Sequence, residues 1–259
     1  MTRPANYLTF PILEFDPTPL ALIEPSRQIN KINIPQHCVI CFFQDVLDEV
    51  IEKYNAKEIH SEGWESGNHK FYEIETNGKR VAFFHPGVGA PLAAGLFETA
   101  IALGATKFVA CGGCGSLNKE IMVGHLVIVR SAIRDEGCSY HYLPPSREVE
   151  AGQREIKIIS TVLESKSIPF VIGKTWTTDA PYRETPVKIA SRRDEGALVV
   201  EMESSAFISV AKFRGVEFGQ ILYGGDDLSG SEWDSRHWAT RSDIRKNLFW
   251  LAVEACLAL

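Results

Sequence analysis

Three stretches of the chain carry residue types whose spacing could do chemistry. Glu201 and Glu203 stand two positions apart in Val200-Glu201-Met202-Glu203-Ser204-Ser205-Ala206, between an apolar β-branched run and a helical pattern. The dipole and unpaired N–H groups of a helix N-terminus favour a carboxylate there. Such a pair either caps the helix or turns a carboxylate toward a ligand. Asp226 and Asp227 follow Gly224-Gly225 and precede Leu228-Ser229-Gly230. Acids at a strand end can serve a proton transfer, and the same residues also suit a capped turn. The third stretch is a pair of glycine turns, Gly87-Val88-Gly89-Ala90-Pro91 and Cys111-Gly112-Gly113-Cys114-Gly115. Consecutive backbone N–H groups in such turns can cradle an anion. Neither is a Walker loop, because no Gly-Lys-Ser/Thr follows, and Gly87-x-Gly89 does not extend to a dinucleotide fingerprint.

The elements that must position these residues are legible from periodicity. Cys38 to Phe43 is a continuous apolar run, as a buried parallel strand requires. Asp45 can cap a following helix with Val46, Val50, Ile51 and Tyr54 on one face. Arg80 to His85 reads as a strand ending at the first glycine turn, followed by a buried helix that Gly104 closes. Lys107 to Cys111 is a strand ending at the second glycine turn, and His125 to Arg130 is a further strand. Helices are predicted over Ile156 to Leu163, Met202 to Phe213 and Ile244 to Leu257. Strands are predicted over Phe170 to Gly173, Ala197 to Val200 and Phe218 to Gly224. This alternation predicts an α/β fold, a single three-layer αβα domain around a mixed, mostly parallel twisted sheet. An irregular, proline-rich N-terminal arm (residues 1–35) precedes a catalytic domain over residues 36–259. Ligands of such sheets bind beyond the carboxyl ends of the strands, where the glycine turns and the acids stand.

Composition removes other classes. Hydrophobic residues make up 45% and charged residues 23% of 259, the balance of a globular chain. A net charge of -6 offers no basic face for nucleic acid. The short clusters Ser191-Arg192-Arg193 and Arg241 to Lys246 read as solvated surface. No run reaches the roughly 18 apolar residues of a membrane helix, and no signal peptide is present. The expectation is a cytoplasmic protein with no membrane partner. Cys38/Cys41 and Cys111/Cys114 have C-x-x-C spacing, but they lie too far apart for a zinc ribbon and open no helix. No metal or cofactor is expected.

Together these pieces resemble the uridine phosphorylase and hexameric purine nucleoside phosphorylase family, within the nucleoside phosphorylase and nucleosidase superfamily. The resemblance runs from about Gly87 to Gly230. It rests on the Gly87 and Gly112 turns, on Ser131 to His141 with Arg134, Asp135 and Gly137, on Thr178-Asp179 with Tyr182, and most specifically on Val200 to Ser204. It implies that Met202 and Glu203 hold the ribose, and that Glu203 and Asp226 are catalytic. Asp226 would protonate the leaving base, with Asp227 as the alternative if the turn shifts by one. Glu201, Trp176, Thr178, Asp179 and Tyr182 would face the base, Trp176 or Tyr182 by stacking. Gly87, Gly89, Gly112, Gly113, Arg134 and Arg183 are the candidates for holding phosphate, which is a co-substrate rather than a cofactor. A homodimer or homohexamer is also implied.

The chain departs from the family at the phosphate site. Ala110 stands where phosphorolytic members carry an arginine, Gly113 where they carry Ser or Thr, and Phe43 to Asp48 contains no arginine. Loss of a bidentate anion partner is not neutral. Because the middle third most resembles uridine phosphorylases, the expectation is a nucleoside phosphorylase acting on a purine or pyrimidine nucleoside. The alternatives are a nucleosidase in which Gln44, Asp45 or Asp48 positions water, and a non-catalytic nucleoside-binding relative.

Overall fold

The computed structural model describes residues 10–259, so the first nine residues of the N-terminal arm lie outside the described residues. The rest of the arm has a 3-10 turn at Pro11–Leu13 and one helical turn, α1 (Pro25–Gln28), each opened by a proline. A proline's fixed φ suits the first helical position. The arm is pinned by Arg214, whose guanidinium reaches the buried Glu24 at 3.0 Å and Glu98 at 2.8 Å.

The elements that follow are β1 (His37–Cys41), α2 (Gln44–Lys53), β2 (Lys57–Trp64), β3 (Gly67–Thr76), β4 (Lys79–Phe84), α3 (Ala90–Leu103), β5 (Lys107–Ser116) and β6 (Leu126–Asp135). After them come β7 (Glu148–Glu150), α4 (Gln153–Ser165), β8 (Phe170–Thr178), α5 (Pro186–Asp194), β9 (Ala197–Glu201), α6 (Ser204–Arg214), β10 (Glu217–Asp227) and α7 (Ser242–Ala258). All ten strands form one mixed sheet in the order β10-β6-β8-β9-β5-β1-β4-β3-β2, with β7 on β6. The pairings of β1 with β4 and β5, of β5 with β10, of β6 with β8 and of β8 with β9 are parallel. The others are antiparallel.

Because β5 pairs with β10 as well as with β1 and β9, the strands β5, β10, β6, β8 and β9 close on themselves. The remaining strands extend from β5 as an open wing. Phe83 is in register with Val39, and Phe108 with Cys38, so the two rings leave opposite faces of the sheet. Phe83 meets Phe249 of α7 at 5.8 Å, and Phe108 meets Phe97 of α3 at 4.7 Å. The sheet is therefore sandwiched: α7 packs with α2 and α4 on one side, and α3 packs with α6 on the other. This is the three-layer α/β architecture expected from the alternation of elements. No helix of the described residues is long and apolar enough to cross a membrane.

Further features were not foreseen, among them β7 and α5, for which the sequence predicted no element. The β2–β3 hairpin lies in the stretch between the first helix and Arg80, where no element was expected. The charge clusters are not uniformly solvated: Arg192 is buried, and the Arg245 side chain is only 13% exposed.

Candidate active site

The carboxyl ends of β1, β4, β5, β9 and β10 converge on a cavity of about 380 Å³. Phe42 and Phe43 enter it from beyond β1, and Val88 from the turn after β4. Gly112 to Gly115 form the wall supplied by β5, and Glu201, Met202 and Glu203 the wall supplied by the β9–α6 junction. Asp226 comes from the end of β10, Glu184 from the segment before α5, and Arg245 from the first turns of α7.

The two glutamates two positions apart have different surroundings. Glu201 turns inward. Its Oε1 accepts from the hydroxyls of Thr177 at 2.7 Å and Thr175 at 3.1 Å, and its Oε2 from the N–H groups of Glu203 at 2.7 Å and Ser204 at 2.6 Å. It thus ties β8 to the start of α6, where orphan N–H donors need acceptors. Glu203 is the N-cap residue of α6, and its carboxylate lines the cavity. Its Oε1 accepts from Gly89 N–H at 2.6 Å and its Oε2 from Met202 N–H at 3.3 Å. Gly89 has φ +93°, a conformation that favours glycine, and this aims its N–H across at Glu203. Burial, then the charge of Glu201, push the Glu203 carboxyl well above the usual carboxylate range, against the pull of these N–H donors.

The phosphate candidates are dispersed. Gly89 N–H serves the protein's own carboxylate, and Gly87 N–H donates to His85 Nδ1 at 3.0 Å. Gly112 and Gly113 do line the cavity. Arg134 does not. It is 4% exposed, and it donates to Ser139 Oγ at 2.9 Å, Pro144 O and Ser146 Oγ at 2.7 Å, and Leu143 O at 3.2 Å. Arg183 sits exposed on the turn Pro181–Arg183, outside the cavity lining, although Pro181 and Glu184 on either side belong to it.

The base candidates divide in the same way. Trp176 is 0% exposed, packs with Leu117, Ile133 and Val200, and donates from Nε1 to Asp135 at 3.0 Å. It is a core residue rather than a stacking platform. Tyr182 is 99% exposed, Thr178 is buried with its hydroxyl accepting from Ala180 N–H, and Asp179 accepts from Gly137 N–H at 2.8 Å. None of these four lines the cavity. Of the two aspartates, Asp226 does line it, with Oδ2 accepting from Trp233 Nε1 at 2.6 Å. Asp227 pairs instead with Arg236 and accepts from Ser229 N–H at 2.8 Å. Although burial acts to raise Asp227, Ser229 and Arg236 hold it below its usual range. Gln44, Asp45 and Asp48 lie on the exposed face of α2, and Gln44 donates to Asp48 at 2.7 Å.

Glu184, Arg245, Phe43 and Trp238 were not foreseen in the site. Arg245 stood in a mixed charge cluster that read as surface, and Glu184 in a segment with no strong pattern. Burial, then the charge of Asp226, push Glu184 up to about 7. Among the residues lining the cavity, Arg245 is the sole cation. The thiols of Cys38, Cys111 and Cys114 are raised far above their ordinary range by burial, the opposite of what a reactive thiolate needs.

An apolar cavity with convergent carboxyl groups and one guanidinium suits a small polyhydroxylated ligand with an aromatic part. A guanosine phosphorylase of Halorubrum lacusprofundi is 23% identical over 198 residues, covering 76% of this chain and 81% of that protein. A uridine phosphorylase from Vibrio fischeri shares the fold, with a TM-score of 0.72 and 22% identity over 89% of this chain and 94% of the other. So does an AMP nucleosidase from Bacteroides thetaiotaomicron, with a TM-score of 0.71 and 20% identity over 88% and 90%. A family model for the phosphorylase superfamily matches residues 36–255, nearly the whole described chain, and the protein belongs to that superfamily.

Proposed function

We propose that the protein is a nucleoside phosphorylase acting on purine nucleosides. The observation that carries this reading is that Glu203 and Asp226 face one cavity from the ends of β9 and β10, together with a single guanidinium. In the proposed reaction Met202 and Glu203 bind the ribose, Glu203 accepting hydrogen bonds from its hydroxyls. The C1′–N bond lengthens and positive charge grows on the sugar, as in other glycosyl transfers. The buried Glu203 carboxylate is poorly solvated before the reaction, so it gains most when that charge appears. Asp226 passes to a ring nitrogen of the departing base the proton that it shares with Glu184. A phosphate oxygen bonds to C1′, leaving ribose 1-phosphate and the free base. Glu184 beside Asp226 makes a carboxyl pair for which one shared proton is favoured over two charges.

Phosphate is preferred over water because Arg245 stands in an otherwise acidic cavity, where a neutral nucleophile needs no cation. Hydrolysis is the second reading, favoured by Ala110 and by the arginine-free run Phe43 to Asp48. Base release from purine and pyrimidine nucleosides, with and without inorganic phosphate, tests both. Release that requires phosphate and is fastest with purines is expected. Equal release without phosphate would overturn the phosphorylase reading.

A further inference from the structure

The sequence lacks arginines at the two places where phosphorolytic relatives are expected to hold phosphate, yet a guanidinium reaches the cavity from a different element. Arg245 is carried by α7, and its guanidinium lies over the ring of Phe43, at 5.5 Å, and over that of Trp238, at 5.3 Å. Aromatic faces hold a guanidinium without using its N–H groups. Its hydrogen bonds within the protein are long: Nε to the Tyr223 hydroxyl at 3.3 Å and Nη1 to Asp45 at 3.4 Å. Nη2 makes no hydrogen bond among the described residues, and Arg245 is not among the buried side chains left without a partner. The Nη2 donors of this cavity-lining arginine therefore remain free, whereas each guanidinium nitrogen of Arg134 is engaged.

Tyr223 completes the argument. A Cβ built on Gly113 would lie 3.2 Å from the Tyr223 ring and 3.5 Å from its hydroxyl. The tyrosine thus fills the space that a Ser or Thr side chain at position 113 would need. Loss of a guanidinium at Ala110 is matched by one from α7, and the buried Tyr223 hydroxyl, which accepts from Arg245 Nε and donates to Trp238 O at 3.4 Å, holds that guanidinium in place. With Glu184, Glu203 and Asp226 around the same cavity, an anion has no other positive partner there.

We infer that Arg245 is the phosphate-recognising residue of this cavity, with the buried Tyr223 hydroxyl positioning its guanidinium from behind and the Tyr223 ring crowding the place of a side chain at Gly113. The inference rests on the phosphorolysis reading for the identity of the phosphate, inorganic rather than the 5′-phosphate of a nucleotide. The Arg245 guanidinium would bind either as a divalent oxyanion, so the experiment separates the two sources.

Base release is measured for wild type, Arg245→Lys, Arg245→Ala and Tyr223→Phe, at saturating guanosine, adenosine or uridine, with inorganic phosphate varied. A parallel series uses AMP without phosphate. Thermal melting with and without phosphate gives a readout independent of turnover. The expected result is a phosphate KM raised at least tenfold in Arg245→Lys, more in Arg245→Ala and several-fold in Tyr223→Phe. The nucleoside KM stays within twofold, and the phosphate-induced rise in Tm seen in wild type is lost. A phosphate-dependent wild type whose phosphate KM is unmoved in both Arg245 variants overturns the assignment and leaves phosphorolysis standing. A wild type that needs no phosphate on any nucleoside overturns phosphorolysis. If that enzyme also cleaves AMP and Arg245→Lys raises the AMP KM tenfold, Arg245 still recognises phosphate, carried on the nucleotide.

Discussion

Two arginine-centred regions of this molecule look alike in composition and differ in what they leave free. Around Arg134, on β6, each guanidinium nitrogen meets a nearby acceptor, and Tyr140 covers the guanidinium at 4.3 Å. Around Arg245 the aromatic rings are present, but the hydrogen bonds are few and long. The first region holds a loop closed and the second faces a cavity. The same contrast separates Glu201, with four inward contacts, from Glu203, with two backbone donors and a wall of the cavity. A charged side chain with every partner inside the protein has nothing left for a ligand. Capacity left unpaired at a cavity wall marks the site.

The contrast can be broken or sharpened by substitution. The largest effect is expected for Glu203→Ala, a loss of roughly 10³-fold in kcat/KM with the fold kept, as for removal of a preorganised partner of transition-state charge. Near-normal turnover in a folded Glu203→Ala protein would break the Glu201/Glu203 distinction. Asp226→Asn is expected to slow purine release about 10²-fold, and to slow release of a nitrophenyl-type activated leaving group far less. Equal losses on both substrates would remove Asp226 from the acid role.

Arg134→Ala is expected to act in the opposite sense to the Arg245 variants. It should cost about 2–3 kcal/mol of stability in urea unfolding, because buried acceptors lose a charged donor. Its kcat/KM should stay within about twofold, and a selective rise in phosphate KM would erase the contrast. The smallest effect concerns Glu184. Its folded-state carboxyl, pushed up to about 7 by burial and Asp226, holds a proton that the unfolded chain releases near 4.5. Folding stability therefore falls as pH rises from about 4.5 to about 7, and the penalty is complete above that. Glu184→Gln should remove this slope and stabilise the protein by about 1 kcal/mol at pH 8, after allowance for its partial exposure. Unchanged pH dependence in melting curves would mean that Glu184 keeps an ordinary carboxyl.

The elements flanking the site were legible because each is a strong local pattern. The runs at Cys38, Lys107, Ala197 and Phe218 are apolar on both faces, as strands buried between helix layers must be. The β2–β3 hairpin was missed because, of its two strands, only Phe71 and Ile74 are buried, leaving no clear alternation. The lining of the candidate cavity was legible where residues stand at a strand end, as with Glu203, Asp226, Gly112 and Gly113. It was illegible where the side chain's direction decides. Trp176 lies on β8, in a stretch whose outer neighbours suggested a ligand contact, but it points into a small core with Leu117 and Val200. Arg245 shared a charge run with exposed neighbours, and helical periodicity alone does not tell which turn of α7 meets β10 and the Phe43 segment.

The sequence by itself determined the α/β class, the turns that leave strand ends open, and the presence of two acids with the spacing of a helix junction. These follow from local propensities and from residue types that only certain backbone conformations accept. The tertiary structure alone decided which charges were free. The pairing of β5 with β10 closes the sheet and brings Tyr223 against Gly113, while the packing of α7 on β1 and β5 brings Arg245 to the same cavity. Glu203 meets Gly89, and Arg245 meets Asp45, across more than a hundred positions. No local pattern encodes either meeting.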